Sequence, residues 1–427
     1  MRETMKGFKK LISLNEALEI LLRETPIKEP EVEEVDLVEA VGRIVARDIY
    51  AQYDIPPFDR SAVDGYAVRS SETISASLTN PIELKLIGRV TAGDELSKLP
   101  KLGRGEAIKI FTGAPIPPGA DAVVMSEYVI EEGDKILVTR PVAPLQNISR
   151  RGEDFRSGEL IVSRGTRLRP WHIGALAAQN ITRVPVYRRI KVGVLSTGDE
   201  VIEPGDPSYS PESGKILDST KPLLRALIRE TGCEDVDFGV VKDDPRLIRD
   251  KILEALDVVD ILITTGGSSI GETDLVPEAI SMIEGSKILF HGVRIRPGKP
   301  VGLALVKNKP IFILSGFPVS ALVEFQALIE PYINRIYHTK PVPKPYVRGV
   351  VTRRIANPPS TKSFVRVKVF QERDGKIYVE PLAITGSGVL STLVKGNAIL
   401  VIDEDLEGYD EGDEVEVELL ENISSVV

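Results

Sequence analysis

The spacing of apolar and polar positions changes several times along the chain, and each change predicts a different element. Residues 13–24, SLNEALEILLRE, place apolar side chains at helical intervals, with Ser13 set to cap the helix and Glu16 at capping-box distance. Residues 32–37 alternate as a short strand. Between about 48 and 145, four runs (IELKLIGRV, EAIKIF, AVVMSEYVI and KILVTRPV) lie between Pro/Gly turns and predict an all-β unit. Residues 146–185 are first rich in Arg and Gly and then give a helix at PWHIGALAAQNI, with Pro170 suited to its first turn. Joined to the N-terminal helix, this piece predicts a helical or mixed domain of two segments, 1–47 and 146–185, with the β domain 48–145 inserted between them.

Over 186–337 strands and helices alternate. IKVGVLS, DVDFGVV, VDILITTGG, VGLALV and IFILSG are strands, and STKPLLRALIRETG, DPRLIRDKILEAL, TDLVPEAISMIE and PVSALVEFQALIEPYINRI are helices. This order predicts a central parallel sheet with helices on both faces. The Pro-rich HTKPVPKPY then leads into KSFVRVKVFQERDGKIYVEP, a hairpin with an Asp-Gly turn, and into the strands AILVID and DEVEVELL. Residues 338–427 are thus a C-terminal β domain, and the chain as a whole is multidomain, α/β plus β.

Composition narrows the partners. Lys plus Arg number 54 against 63 Asp plus Glu, a net charge of −9, so phosphate backbones are not attracted globally and nucleic acid is not the expected partner. No apolar run reaches the roughly 18 residues of a membrane span, and MRETMKGFKK lacks a signal-peptide core, which predicts a cytoplasmic protein. Cys233 is the single cysteine, and His172, His291 and His338 are not at metal-ligand spacing. A metal held by the protein should therefore be hard and carboxylate-bound, Mg²⁺ first. Scarce Cys with abundant Glu, Lys and Arg leans towards a thermophile.

Four polar loops follow apolar strands: Ser196, Thr197, Gly198, Asp199 and Glu200; Asp243 and Asp244; Gly266, Gly267, Ser268 and Ser269 with Glu272 and Asp274; and Gly316 with Ser320. Singly these are caps and turns. Together they should share the carboxyl-end rim of the sheet, where such folds bind ligands. Backbone N–H groups of Gly266, Gly267 and Ser268 suit phosphate oxygens. The carboxylates would repel phosphate unless a divalent cation came with it, and Asp199, Glu200, Asp244, Glu272 and Asp274 are the candidates. In FHGVRIRPGKPVGLA, strand alternation sets Arg294 and Arg296 on one face near Lys299; this is either a solvated basic loop or an oxyanion clamp. The charges of SRRGEDFRSGE, and Asp59, Asp64 and Thr112 in PPFDRSAVDGYAVR and IFTGAPIPPGAD, are explained equally well by surface ion pairs and turns.

In chain order, PPFDRSAVDGYAVR, IFTGAPIPPGADAVV, RRGEDFRSGE, VLSTGDE, LITTGGSSIGETD, RPGKP and LSGFPVSA resemble the MoeA family, the molybdopterin molybdenumtransferases, which include the E domain of gephyrin. The resemblance runs from about residue 10 to 420. It implies insertion of molybdate into adenylylated molybdopterin with Mg²⁺-assisted release of AMP. It also implies a four-domain fold in an elongated homodimer, with sites built from both chains. Carried over residue by residue, it assigns the functional acids to Asp64, Asp154, Glu200, Asp244 and Asp274, a threonine to Thr112, the basic clamp to Arg296 and Lys299, and a C-terminal pair to Arg366 and Ser387. A molybdopterin adenylyltransferase is the protein partner it suggests. Where bacterial relatives carry a lysine this chain has Gly292, with Arg294 as a possible replacement, and Arg296 itself stands for a lysine; tungstate becomes an alternative to molybdate. Two rival readings stay open: adenylyl transfer to molybdopterin, as in the related α/β domain, and a gephyrin-like dimeric scaffold that binds peptides.

Overall fold

The structure, a computed structural model, describes residues 11–266, 275–340, 344–373, 375–383 and 386–425. Its centre is a six-stranded sheet of β1 (Lys191–Thr197), β2 (Glu234–Val241), β3 (Ile261–Thr265), β4 (Lys287–His291), β5 (Gly302–Val306) and β6 (Lys309–Leu314), in the spatial order β2-β1-β3-β6-β5-β4. Side-chain alternation divides these strands between two cores. Val192, Val194, Ile261, Ile263, Phe312 and Leu314 face one core, which includes Leu224 and Ile228 of helix Thr220–Glu230. Leu195, Leu262, Ile311 and Ile313 face the other, closed by helices Pro245–Leu256 and Leu275–Ser281.

The parallel expectation holds for β2, β1, β3 and β6 and is corrected at the edge: β5 pairs antiparallel with β6 and β4 antiparallel with β5, so β5 alone runs against the rest. The cause is local. Val306 pairs with Lys309, and only Lys307 and Asn308 lie between them, both at positive φ (50° and 60°). Two such residues close a hairpin, whereas a parallel crossover needs a dozen or more.

The helix over 318–336 is continuous but changes pitch: Pro318–Glu324 is α, Phe325–Ile329 is π, and Glu330–Ile336 is α again. Pro331, which has no N–H to give, sits just beyond the widened stretch.

At the N-terminus, Ser13 Oγ accepts from Glu16 N at 3.1 Å and caps helix Leu14–Glu24. The buried Ala17 and Leu21 of this helix pack into the central core. Strand Val32–Asp36 pairs antiparallel with Arg183–Tyr187, so the chain returns to its starting segment after a long excursion. Helix Pro170–Ala178 meets a separate small core through Leu176, with Val45, Leu168, Val184 and Val186. The excursion itself holds a six-stranded sheet that includes Gly65–Val68, Ile82–Val90, Glu106–Ile110 and Ala122–Met125.

Five C-terminal strands, Tyr346–Val351, Lys362–Gln371, Ile377–Ala383, Ala398–Ile402 and Glu414–Leu419, make most of a seven-stranded sheet. One further member comes from elsewhere in the chain. Ile295–Arg296 pairs in parallel with Lys362–Ser363, and Lys362 N donates to Arg294 O at 3.0 Å. Among the described residues no helix is long and apolar enough to cross a membrane.

Candidate functional site

The carboxyl ends of the parallel strands bring Thr197, Gly266 and Gly316 together at the lining of one cavity. Close backbone approach fixes the residue type: Gly266 has φ +87°, and a Cβ there would lie 2.3 Å from Thr197 O. Behind this rim Ser196 Oγ donates to Asp218 Oδ2 at 2.6 Å and lies 3.0 Å from Thr265 Oγ1. Asp218 Oδ1 also accepts from Thr220 N (3.1 Å) and Lys221 N (3.0 Å), and Thr220 Oγ1 donates to Gly316 O at 2.6 Å. Ser196, Thr197, Asp218, Thr220 and Gly316 line a smaller adjoining cavity of about 240 Å³. Asp218 escaped the sequence reading because ILDSTKPLL passes for an ordinary capped helix start. The signal was the carboxylate itself, which the fold leaves buried among hydroxyls.

The larger cavity measures about 630 Å³ and joins two chemistries. The strand ends contribute Thr197, Glu200, Gly266 and Gly316; the RPGKP turn contributes Arg296 and Lys299; and the C-terminal region contributes Arg366 and Ser387, whose carbonyl accepts from Val319 N at 3.2 Å. The pairing of Ile295–Arg296 with Lys362–Ser363 is what places the two basic groups side by side. Arg366 is only 4% exposed and donates to Phe364 O (3.1 Å) and Thr392 Oγ1 (3.3 Å). Burial, and then the charge of Arg296, lower its affinity for the proton below the usual guanidinium range. Two guanidiniums sharing a dry wall are a costly arrangement that an anion would relieve.

The acids divide. Glu200 lines the large cavity. Asp199 and Asp243 clasp each other's loops, each backbone N–H 3.4 Å from the other's carboxylate. Desolvation, and then the charges of Glu200 and Asp199, raise the Asp243 carboxyl above its ordinary range. That crowding suits a cation, yet among the described residues no three Asp, Glu, His or Cys side chains are grouped to hold one. A magnesium ion here would take one or two carboxylates and fill its shell from the ligand and water.

Asp244 lines neither cavity. It caps helix Pro245–Leu256, accepting from Arg246 N (2.7 Å) and Leu247 N (3.3 Å), the task the bland reading assigned it. Arg294 is also displaced from the expected face. Its Nη1 donates to Leu11 O at 2.8 Å and it lines neither cavity. Ile295 N bonds to Val293 O, a tight turn that breaks strand alternation just before Arg296.

Asp64, Thr112 and Asp154 lie apart from both cavities, in the inserted region and the loop that leaves it. Thr112 N (2.8 Å) and Oγ1 (2.7 Å) donate to Asp64 Oδ1 and hold that carboxyl below its ordinary range. Gly267, Ser268, Ser269, Glu272 and Asp274 lie outside the described residues.

Comparison with known proteins agrees with this layout. Residues 12–179 match the family model "MoeA N-terminal region (domain I and II)", 193–335 match "Probable molybdopterin binding domain", and 348–420 match "MoeA C-terminal region (domain IV)". The crystal structure of a molybdopterin biosynthesis moeA protein from Pyrococcus horikoshii OT3 superposes with a TM-score of 0.81 at 39% identity, covering 96% of this chain and 100% of that one. The molybdopterin molybdenumtransferases of Haemophilus influenzae and Bacillus subtilis are 33% and 34% identical, covering 96% and 92% of this chain and 98% and 91% of their own. With a two-chemistry cavity at the strand ends and all three family regions in order, the chain belongs to the MoeA family of molybdopterin molybdenumtransferases, enzymes of molybdenum cofactor biosynthesis.

Proposed function

We propose that the chain takes adenylylated molybdopterin and a tetrahedral oxyanion, molybdate or tungstate, and inserts the metal into the dithiolene with release of AMP. The observation that carries this reading is the joint lining of one cavity by Arg296, Lys299, Arg366 and Ser387 together with Thr197, Glu200, Gly266 and Gly316. The oxyanion is bound by the guanidinium forks and the Lys299 ammonium, with Ser387 orienting it. The two sulfurs come with the substrate, which fits a protein whose one cysteine is buried away from the cavity. Thr197 and the Gly266 and Gly316 backbone seat the phosphate end of the substrate, and the smaller cavity floored by Asp218 seats its ring end.

Glu200, with Asp199 and Asp243 nearby in the chain's acidic loops and Asp274 as the resemblance assigns it, would hold Mg²⁺ beside the phosphates; when bound, the ion supplies Lewis acidity at the phosphoanhydride. Asp64, Thr112 and Asp154 act in the site of a second copy in a homodimer, which accounts for functional residues that line neither of the two cavities described. An adenylyltransferase supplies the activated substrate. The test follows AMP release from adenylylated molybdopterin at increasing molybdate. The expected result is an absolute need for oxyanion and Mg²⁺; release at full rate without molybdate or tungstate would overturn the reading.

A further inference from the structure

We propose that Glu324 is a positioning residue of the oxyanion clamp: its carboxyl is wedged between the turn carrying Arg296 and Lys299 and the strand-end backbone at Ser315, and fixes one against the other. The inference rests on the reading that the clamp binds the oxyanion. Glu324 is the last residue of helix Pro318–Glu324, where the helix widens into its π stretch, and it is 0% exposed. Oε2 accepts from Ser315 N at 2.9 Å. Oε1 is buried with no hydrogen-bond partner among the described residues. It lies on the clamp side: a Cβ added to Gly298 would stand 3.2 Å from Oε1 and 2.8 Å from Glu324 Cγ. Ser315, Gly298 and Lys299 line the cavity and Glu324 does not, so the acid sits beneath the wall that the substrate meets.

The charged groups on the surrounding elements are few. The clamp turn brings Arg296 and Lys299. Helix Thr220–Glu230, packed on the same helix, brings Lys221 and Arg225, engaged by Glu203 and Asp237 and by Asp235 and Asp237 respectively. Strand β4 brings His291, hydrogen-bonded to the Pro300 backbone, and β6 brings Lys309, held by the Leu256 and Val259 carbonyls. Burial, opposed only by the Ser315 N–H, lifts the Glu324 carboxyl to about 8. The neutral acid can therefore brace a cationic turn without cancelling its field. Once ionised, it sets a negative charge against the residue preceding Lys299 and opposes a dianionic ligand.

The experiment is calorimetric titration of the full chain with tungstate, a dianion throughout the range, from about pH 6.5 to about pH 9.5. Wild-type affinity should fall at least roughly threefold more across this range than that of Glu324→Gln, which keeps the shape without the charge and should match wild type at about pH 7. Glu324→Leu, which leaves Ser315 N–H unpaired, should bind at least roughly tenfold more weakly at about pH 7. Parallel pH curves for wild type and Glu324→Gln would overturn the inference alone. A wild-type chain that binds no tungstate would overturn the clamp reading and the inference with it. If Glu324→Leu does not fold, the Glu324→Gln curve decides.

Discussion

The two walls of the large cavity are built by different means. The strand-end wall comes from topology: parallel strands end on one rim, and their backbones approach closely there, as Gly266 does Thr197. The basic wall comes from a splice between units, because Arg296 reaches Arg366 only through pairing of its short strand with Lys362–Ser363. A wall made by topology is redundant, with many small contributions. A wall made by a splice concentrates its work in a few charged side chains, so the two should answer mutation differently.

The largest expected effect is on the basic wall. Arg366→Ala removes charge-assisted contacts of about 2–3 kcal/mol and should raise the molybdate needed for half-maximal AMP release by roughly 30- to 150-fold, with little change in the requirement for adenylylated molybdopterin. Equal loss on both substrates would mean that the walls are not separable. Next in size is a subunit-mixing experiment. At molybdate well below the Arg366→Ala requirement, where neither the Asp64→Ala nor the Arg366→Ala homodimer turns over appreciably, chains mixed as refolded dimers should recover roughly a quarter of wild-type activity, since half the dimers would be hybrids with one intact site. No recovery would mean that Asp64 serves its own chain. On the strand-end wall, Gly266→Ala drives a methyl towards Thr197 O at a positive φ. It should cost about 1–3 kcal/mol in thermal unfolding and weaken binding of the adenylylated substrate more than that of tungstate. The smallest effect belongs to Asp244→Ala: loss of the cap should lower stability by about 1 kcal/mol in denaturant unfolding and leave AMP release unchanged.

The strand-end wall was largely legible in the sequence, for local reasons. Runs such as IKVGVLS and VDILITTGG fix strand ends by their own composition, and polar loops at four strand ends imply one rim. Ser13 with Glu16 marked a true helix start for the same reason. What was not legible depends on partners distant in the chain. Nothing in RIRP says that it will join a sheet some 65 residues further on, so Arg294 and Arg296 looked equivalent until the turn at Val293–Ile295 separated them. Asp218 and Glu324 are ordinary residues of helix ends in a one-dimensional reading; their burial is a property of the packed molecule. Asp244 shows that a motif carboxylate can carry a local structural task, here a helix cap, that the motif itself does not announce.

The short strand shared between the central unit and the C-terminal sheet couples reach to posture. The Arg296 backbone is bonded to the C-terminal sheet while Ile295 beside it is buried in the central core, so the basic turn is tied to both units at once. A cation fixed at such a joint keeps its place only while both units keep theirs, whereas the glycine rim depends on one unit alone.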